Sequence, residues 1–164
     1  MGVLVIFGTE TGNAEMVAEE IAEVLEVDFD VSCQDMASFS PEAIDKDDLL
    51  IVVSSTYGDG ELPYSAQPFF DRLETIAPDL AGLRFATFGL GDSFYDTFNE
   101  GSRILADKLL SLGAFEICAR GVYDASSGEL PDEVAQMWLN RVVLPMMVTG
   151  TAETIGEQVQ GAVS

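Results

Sequence analysis

The chain has 164 residues, of which 29 are acidic and 7 basic, giving a formal net charge of −22, and it contains no histidine. Such an acidic surface is a poor partner for nucleic acid or an anionic membrane, and the lack of histidine excludes Ser-His hydrolase chemistry and histidine-ligated zinc. The acidity is consistent with solubility or adaptation to a salty habitat, and also with steering toward basic partner proteins.

The length corresponds to about one domain, which we expect at residues 1–148, followed by a polar tail at 149–164. No apolar run approaches the roughly 18 residues of a membrane span, and no signal-peptide pattern opens the chain. We therefore expect a soluble, cytoplasmic protein. We also expect it to be a monomer. Cys33 and Cys118 lie far apart without CxxC spacing, so we expect two reduced, buried thiols that do not pair.

Apolar runs predict five strands. VLVIF and LLIVVSS are continuously apolar, which is typical of strands buried on both faces of a sheet. VDFDVSC alternates between apolar and polar residues and predicts an edge strand. The predicted strands are residues 3–7, 27–33, 49–55, 84–91 and 114–119.

Helical patterns separate these strands. The first helix, at 13–26, is predicted to bury a stripe of Met16, Val17, Ile21, Val24 and Leu25. SPEAI predicts a short helix capped by Ser40. Three longer helices are predicted. The first spans about 66–77, and the second follows the loop after the fourth predicted strand and runs to about residue 112, with Gly113 just beyond its end. The third spans 131–144, where Pro145 should stop it.

Strands that alternate with helices indicate an α/β fold, a doubly wound open parallel sheet with helices on both faces. Such sheets bind ligands at the carboxyl ends of their strands, near the point where the chain reverses its progression across the sheet. Polar, glycine-rich segments follow the first, third and fourth predicted strands. We expect these three loops to form the site.

The first loop, GTETGNA, leads directly into a helix. Unpaired amides at a helix start, together with side-chain donors from Thr9, Thr11 and Asn13, describe a phosphate cradle that needs no basic residue. An ordinary, well-capped strand–helix turn is the alternative. The loop lacks a Walker GK[ST] sequence, which argues against nucleoside triphosphate hydrolysis. The GxGxxG fingerprint of dinucleotide-binding folds is also absent.

The second and third loops each carry a tyrosine. Tyr57 lies in SSTYGDGELP and Tyr95 in FGLGDSFYDTFN. Loop aromatics often serve only packing, but two tyrosines across a crevice suit a flat conjugated ring. A phosphate cradle with two aromatic walls indicates a planar cofactor that carries one phosphate.

GTETGNAE, STYGDGELP and LGDSFYDTFN, in this order and spacing, resemble the three FMN-binding loops of the flavodoxin family. Short-chain, stand-alone MioC-type flavodoxins and the FMN modules of diflavin reductases are the most similar branches. The resemblance covers residues 2 to about 145. It implies FMN as the cofactor and a five-stranded sheet in the order 2-1-3-4-5.

The resemblance also implies which residues bind FMN. In the first loop these are Thr9, Glu10, Thr11, Gly12, Asn13 and Ala14, with the Glu10 side chain pointing to solvent. In the second loop they are Ser55, Thr56, Tyr57, Gly58, Asp59 and Gly60, and in the third Leu90, Gly91, Asp92, Tyr95, Phe98 and Asn99. The two tyrosines would cover opposite ring faces, and Asp124 matches an acidic position near the ring less closely.

The family role implies an electron carrier that takes electrons from an NAD(P)H-dependent flavodoxin reductase and passes them to a basic redox acceptor protein. We expect neither catalytic side chains nor a metal site. Three alternatives stay open: an FMN-dependent NAD(P)H:acceptor oxidoreductase, an excised FMN module of a diflavin reductase, and a non-redox module that kept only the fold. The predicted docking face is the acidic rim, defined as Asp59, Glu61, Asp92, Asp96, Glu100, Asp124 and Glu129.

Overall fold

The computed structural model describes residues 2–9, 12–56, 61–92 and 100–148. The strands are β1 Gly2–Gly8, β2 Asp30–Asp35, β3 Leu49–Ser55, β4 Arg84–Gly91, β5 Phe115–Glu116 and β6 Gly121–Asp124. The helices are α1 Asn13–Leu25, α2 Ala66–Ile76, α3 Glu100–Ser111, α4 Pro131–Trp138 and α5 Leu144–Val148, with a π-helical turn at Leu139–Val143 between the last two. The predicted tail lies outside the described residues.

The strands form a parallel sheet in the order β2-β1-β3-β4-β5, and β6 also pairs with β4. This confirms the predicted order. Alternate residues of the central strands enter two separate cores. Val5 packs on one face with α1, α4 and α5, while Ile6 packs on the other with α2 and α3, and both are fully buried. Burial on both faces explains why the central strands are continuously apolar.

Of the predicted fifth strand at 114–119, only β5 is a strand, and a second short piece, β6, follows it. Glu116 pairs with Phe85 and Gly121 with Phe88, so four residues between the pieces span a gap of two residues on β4. The Ile117 amide still donates to the Phe85 carbonyl at 2.9 Å. Further along this connection, the indole N–H of Trp138 donates to the carbonyl of Ala119 at 3.1 Å. A pattern of apolar residues along the sequence does not reveal a hydrogen bond from a distant side chain, so β6 was not predicted.

Two helical predictions were wrong in detail. Met16 was predicted to be buried but is 48% exposed. The buried stripe of α1 combines three alanines with three larger apolar residues: Ala14, Val17, Ala18, Ile21, Ala22 and Leu25. Pro145 does not end the last helix. The Leu144 amide bonds the carbonyl of Leu139, five residues back, and a new α-helical turn starts there, where a proline in the first turn is tolerated.

The SPEAI segment forms a single 3₁₀ turn at Pro41–Ala43, and the Ser40 hydroxyl caps it by accepting from the Glu42 amide at 3.4 Å. Other 3₁₀ turns lie at Met36–Ser38 and Ala125–Ser127. Over the described ranges, none of the helices has the length and apolar character that crossing a bilayer requires.

Cys33 and Cys118 are free cysteines in the structure, but both are half-buried rather than buried as predicted. Cys33 lies on β2 and Cys118 follows β5, so they are at opposite edges of the sheet. Burial, reinforced by the carboxylates of Glu19 and Glu15, raises the pKa of Cys33 to about 11. Burial, with a smaller contribution from Glu116, raises the pKa of Cys118 to about 12.

Candidate functional site

The carboxyl ends of four strands meet at one edge of the sheet. The register pairs Gly8 of β1 with Ser54 of β3, and Ser55 with Leu90 of β4. Gly91 of β4 pairs with Asp124 of β6. The described parts of the three predicted loops are therefore neighbours, and the segment after β6 joins them as a fourth.

The first loop is held in shape by Thr9. Its hydroxyl oxygen accepts a hydrogen bond from the Gly12 amide at 2.8 Å, and its own amide donates to the Ser65 hydroxyl at 2.8 Å. The Ser65 amide returns a longer bond of 3.4 Å to the Thr9 carbonyl. Thr9 was predicted as a donor to the ligand. In the structure its hydroxyl oxygen accepts from the loop backbone, and the hydroxyl proton can still be donated. Ser65, which ties the loop to the start of α2, was missed because it lies outside the three motifs.

Gly12 gives α1 an open amino terminus. It occupies the N-cap position with φ 97° and ψ −4°, a left-handed conformation that favours glycine. Because glycine has no side chain, it cannot cap the first-turn amides of Asn13 and Ala14. A Cβ atom on Gly12 would have no atom of the described chain within 4 Å. The first-turn backbone amides therefore lie at the positive end of the helix dipole without a side-chain cap.

This geometry fits a phosphate. Neutral amides and a helix dipole bind an anion without a basic side chain, and the described part of the loop contains none. Asn13 is exposed, so its side chain is available to a ligand, whereas Ala14 is fully buried and can contribute only its backbone. The described residues of the first loop thus fit the phosphate end of FMN.

The second and third loops start from adjacent backbone. The Thr56 amide donates to the Leu90 carbonyl at 3.2 Å, which extends the β3–β4 ladder by one residue. The Thr56 hydroxyl accepts from the Gly101 amide at 2.9 Å. Leu90 is buried, so only its backbone can face a ligand, and Gly91 and Asp92 are half-buried.

The segment after β6 is joined to the third loop by Ser126. The Ser126 hydroxyl donates to a carboxylate oxygen of Asp92 in a short hydrogen bond, and its amide donates to Asp124 at 2.9 Å. Asp124 was predicted from the resemblance, but Ser126 was missed. The DASS sequence could have signalled it, because an aspartate that accepts from the amide two residues on is typical of a tight turn.

Several predicted contacts lie outside the described residues. They are Glu10 and Thr11 in the first loop, Tyr57, Gly58, Asp59 and Gly60 in the second, and Tyr95, Phe98 and Asn99 in the third. The two stacking tyrosines therefore stay predictions. The structure brings together the residues that flank them.

The carboxylates of the acidic rim differ in whether a basic side chain pairs with them. Glu100 forms a 2.6 Å ion pair with Arg103, whose guanidinium hydrogen bonds hold the pKa of that carboxyl below its usual value. Arg103 also pairs with Asp107 at 2.7 Å. Glu100 is thus a compensated member of the acidic rim, while Glu61 and Glu129 are exposed. Within the described residues, no group of histidine, cysteine and acidic side chains is arranged to hold a metal ion.

The sequence also matches known proteins. The flavodoxin family model matches residues 5–138. The protein MioC homolog of Pasteurella multocida is 40% identical over 138 residues, which are 84% of this chain and 92% of that protein. NADPH-dependent diflavin oxidoreductase 1 of Emericella nidulans is 40% identical over 125 residues, but the chain spans only 19% of its length.

The solved structures agree as well. A point mutant of the flavodoxin from Pseudomonas aeruginosa superimposes with a TM-score of 0.77 at 31% identity, covering 85% of this chain and 95% of that one. The fold is therefore shared with a flavodoxin along nearly the whole length of that protein. The chain belongs to the flavodoxin family, an FMN-binding family of electron-transfer proteins.

Proposed function

We propose that this chain binds FMN at the carboxyl edge of the sheet, with the phosphate on the amides that follow Gly12. The observation that carries this proposal is the amino terminus of α1, where Gly12 has φ 97° and leaves the first-turn amides without a side-chain cap. The ribityl chain and ring would then extend past Ser55 and Thr56 toward Leu90, Gly91 and Asp92. Support comes from the register, which makes these backbone segments neighbours.

FMN, when bound, supplies one- and two-electron transfer chemistry. The chain's own residues bind and orient the cofactor. Backbone amides at the start of α1 offset the phosphate charge, and buried Leu90 excludes water beneath the site. Ser126 holds the Asp92 and Asp124 carboxylates on one side of the site. Tyr57 and Tyr95 are proposed to cover the two ring faces.

The chain would act as a carrier, reduced by an NAD(P)H-dependent reductase and oxidised by a basic acceptor protein in the cytoplasm. Related proteins named as NADPH-dependent reductases include a matching module, which supports an NADPH-linked donor. Turnover of its own substrate is the competing function. The two differ in whether NADPH reduces the protein directly.

The test is a pair of titrations followed by a reduction experiment. FMN should bind at least about a hundred-fold more tightly than riboflavin, since two charge-assisted hydrogen bonds to phosphate are worth roughly 3 kcal/mol together. Flavin fluorescence should be quenched on binding and partly recovered in Tyr95→Ala. NADPH alone should leave the bound flavin oxidised under anaerobic conditions, whereas a catalytic amount of an NADPH-flavodoxin reductase should bleach it. Equal affinity for FMN and riboflavin would refute the phosphate assignment, and direct bleaching by NADPH would refute the carrier role.

The basic acceptor can be tested through the two exposed glutamates of the acidic rim. Steering acts through charges near the contact, because charges beyond about 8 Å are screened at physiological salt. Glu61→Gln with Glu129→Gln should slow electron transfer to a basic acceptor and flatten its dependence on ionic strength. The matched control is Glu19→Gln with Glu23→Gln on the exposed face of α1. Equal effects from both pairs in stopped-flow would mean that net charge, not a docking face, controls the encounter.

A further inference from the structure

A residue of the second loop caps the helix that follows the third. The first amides of α3 have no partner within the helix, and the Gly101 amide donates to the Thr56 hydroxyl at 2.9 Å. Thr56 immediately precedes residues 57–60, and Gly101 lies two positions after residue 99. This hydrogen bond therefore joins the described ends of the two loops that carry the predicted tyrosines.

The backbones approach closely at the same point. A Cβ atom on Gly101 would lie 2.5 Å from the Ser55 carbonyl oxygen and 3.1 Å from the Thr56 hydroxyl oxygen. Gly101 is buried, so its amide would have little access to water if the threonine oxygen were removed. The Thr56 amide is meanwhile fixed to the Leu90 carbonyl at 3.2 Å. Thr56 is thus bonded to β4 through its backbone and to α3 through its side chain.

We propose that Thr56 is a positioning residue, whose hydroxyl sets the separation between the end of β3 and the start of α3. This separation fixes how far Thr56, at the described end of the second loop, lies from Gly101, which follows the third. The inference rests on the proposed function, since FMN is the ligand proposed to bind beside these two loops. It differs from the role that the family resemblance implies, because the side chain acts through Gly101 rather than by touching the cofactor.

The test compares the parent protein with three variants. Thr56→Val keeps the shape and removes the acceptor, whereas Thr56→Ser keeps the hydroxyl. Thr87→Val is the matched control, because the Thr87 side chain is fully buried on β4 and its hydroxyl oxygen has no hydrogen-bond partner in the described part of the chain. Hydrogen exchange of the Gly101 amide in the apoprotein reports the cap directly, and fluorescence titration gives the FMN dissociation constant.

Thr56→Val should speed exchange of the Gly101 amide and raise the FMN dissociation constant, each by roughly ten-fold, the effect of losing one hydrogen bond at a buried amide. Thr56→Ser should restore both, and Thr87→Val should change neither. Unchanged amide exchange in Thr56→Val overturns the cap. Faster exchange with unchanged FMN affinity, or failure of the serine variant to restore affinity, overturns its role in positioning.

A failure of the proposed function looks different. If the parent protein does not bind FMN at all, the proposed function and the role of Thr56 toward FMN both fall. If the parent binds FMN and Thr56→Val binds it equally well, only the inference about Thr56 falls. Urea unfolding of the four apoproteins separates either result from a general loss of stability.

Discussion

Replacing Gly12 by alanine separates backbone strain from ligand binding, because the chain offers a closely matched second glycine. Gly12 has φ 97° and Gly82 has φ 93°, and at neither position would a Cβ atom meet another described atom within 4 Å. Gly12 opens α1 at the carboxyl edge of the sheet, whereas Gly82 lies in the turn before β4 at the opposite edge. The two substitutions therefore introduce the same strain at different places.

The expected loss of stability follows from the dihedral angles. A side chain in the left-handed region costs about 1–2 kcal/mol, and alanine recovers roughly 0.4–1 kcal/mol by restricting the unfolded chain. Each variant should therefore lose about 1 kcal/mol of unfolding free energy, or about 2–4 °C in Tm for a chain of this size. Urea unfolding of the two apoproteins measures this loss.

The effect on the ligand should differ between the variants. If Gly12→Ala relaxes toward negative φ, the first-turn amides rotate and at least one charge-assisted hydrogen bond to phosphate is lost. Such a bond is worth about 1.5–3 kcal/mol, so FMN should bind roughly ten-fold to a hundred-fold more weakly. Riboflavin, which has no phosphate, should be affected less than about three-fold in the same fluorescence titration.

Gly82→Ala should leave both affinities unchanged. An equal loss of FMN affinity in the two variants would mean that general destabilisation controls binding. An equal loss for FMN and riboflavin in Gly12→Ala would place the phosphate elsewhere. Either result refutes the argument that Gly12 shapes the cradle.

Two further predictions concern the rest of the fold. The raised pKa values of Cys33, about 11, and Cys118, about 12, disfavour the thiolates in the folded state. Stability should therefore be unaffected below the unfolded thiol pKa near 8.5 and fall as pH rises from about 8.5 toward 11, by at most about 1 kcal/mol per half-buried thiol. Urea midpoints at pH 7 and 10 test this, and a double Cys→Ala variant should lose less than its parent. Gly121→Ala would place a Cβ atom 2.4 Å from the Phe88 ring and 2.7 Å from Trp138, so it should cost about 1–3 kcal/mol and shift the fluorescence of this single tryptophan. An unchanged urea midpoint and spectrum would contradict the tight packing.

The sheet could be predicted from the sequence because burial leaves a direct mark on it. A strand covered on both faces must be apolar throughout, and β3 and β4 have the bounds predicted from that rule. The order of the strands came from the family resemblance and was confirmed by the pairing. Periodicity was less informative for α1, where small alanines rather than Met16 form the buried stripe. An alanine is weakly apolar in any pattern, but it is the residue that lets a helix approach a sheet closely.

The end of the chain was harder to predict because its hydrogen bonds depart from the regular registers. A proline normally stops a helix, since it lacks the amide and its ring crowds the preceding turn. Here the π-helical turn Leu139–Val143 shifts the register by one residue before Pro145. The fully buried Leu139 and Val143 and the buried Met147 then keep the segment against the core, and the helix continues. When tertiary packing outweighs the helix-breaking effect of a proline, the proline in the sequence does not by itself predict where the helix ends.

The candidate site was predictable in its residue types and less so in their roles. Thr9, Thr56 and Asp92 were all expected to meet the ligand because they lie in the right loops. In the structure, the oxygens of Thr9 and Thr56 accept hydrogen bonds from the Gly12 and Gly101 amides, and Asp92 accepts from Ser126. Short polar side chains in glycine-rich loops have two uses, since the same oxygen that could bind a ligand can also satisfy a buried amide.

These bonds also explain how an acidic edge can keep a defined shape. Neighbouring carboxylates repel one another, and at an effective dielectric near 20 two charges about 8 Å apart interact by roughly 2 kcal/mol before screening by salt. Ser126 joins Asp92 and Asp124, because its hydroxyl donates to the carboxylate of Asp92 and its amide to that of Asp124. A basic residue at that position would cancel the negative charge that a basic partner is proposed to recognise. A serine supplies the hydrogen bonds and leaves the charge in place.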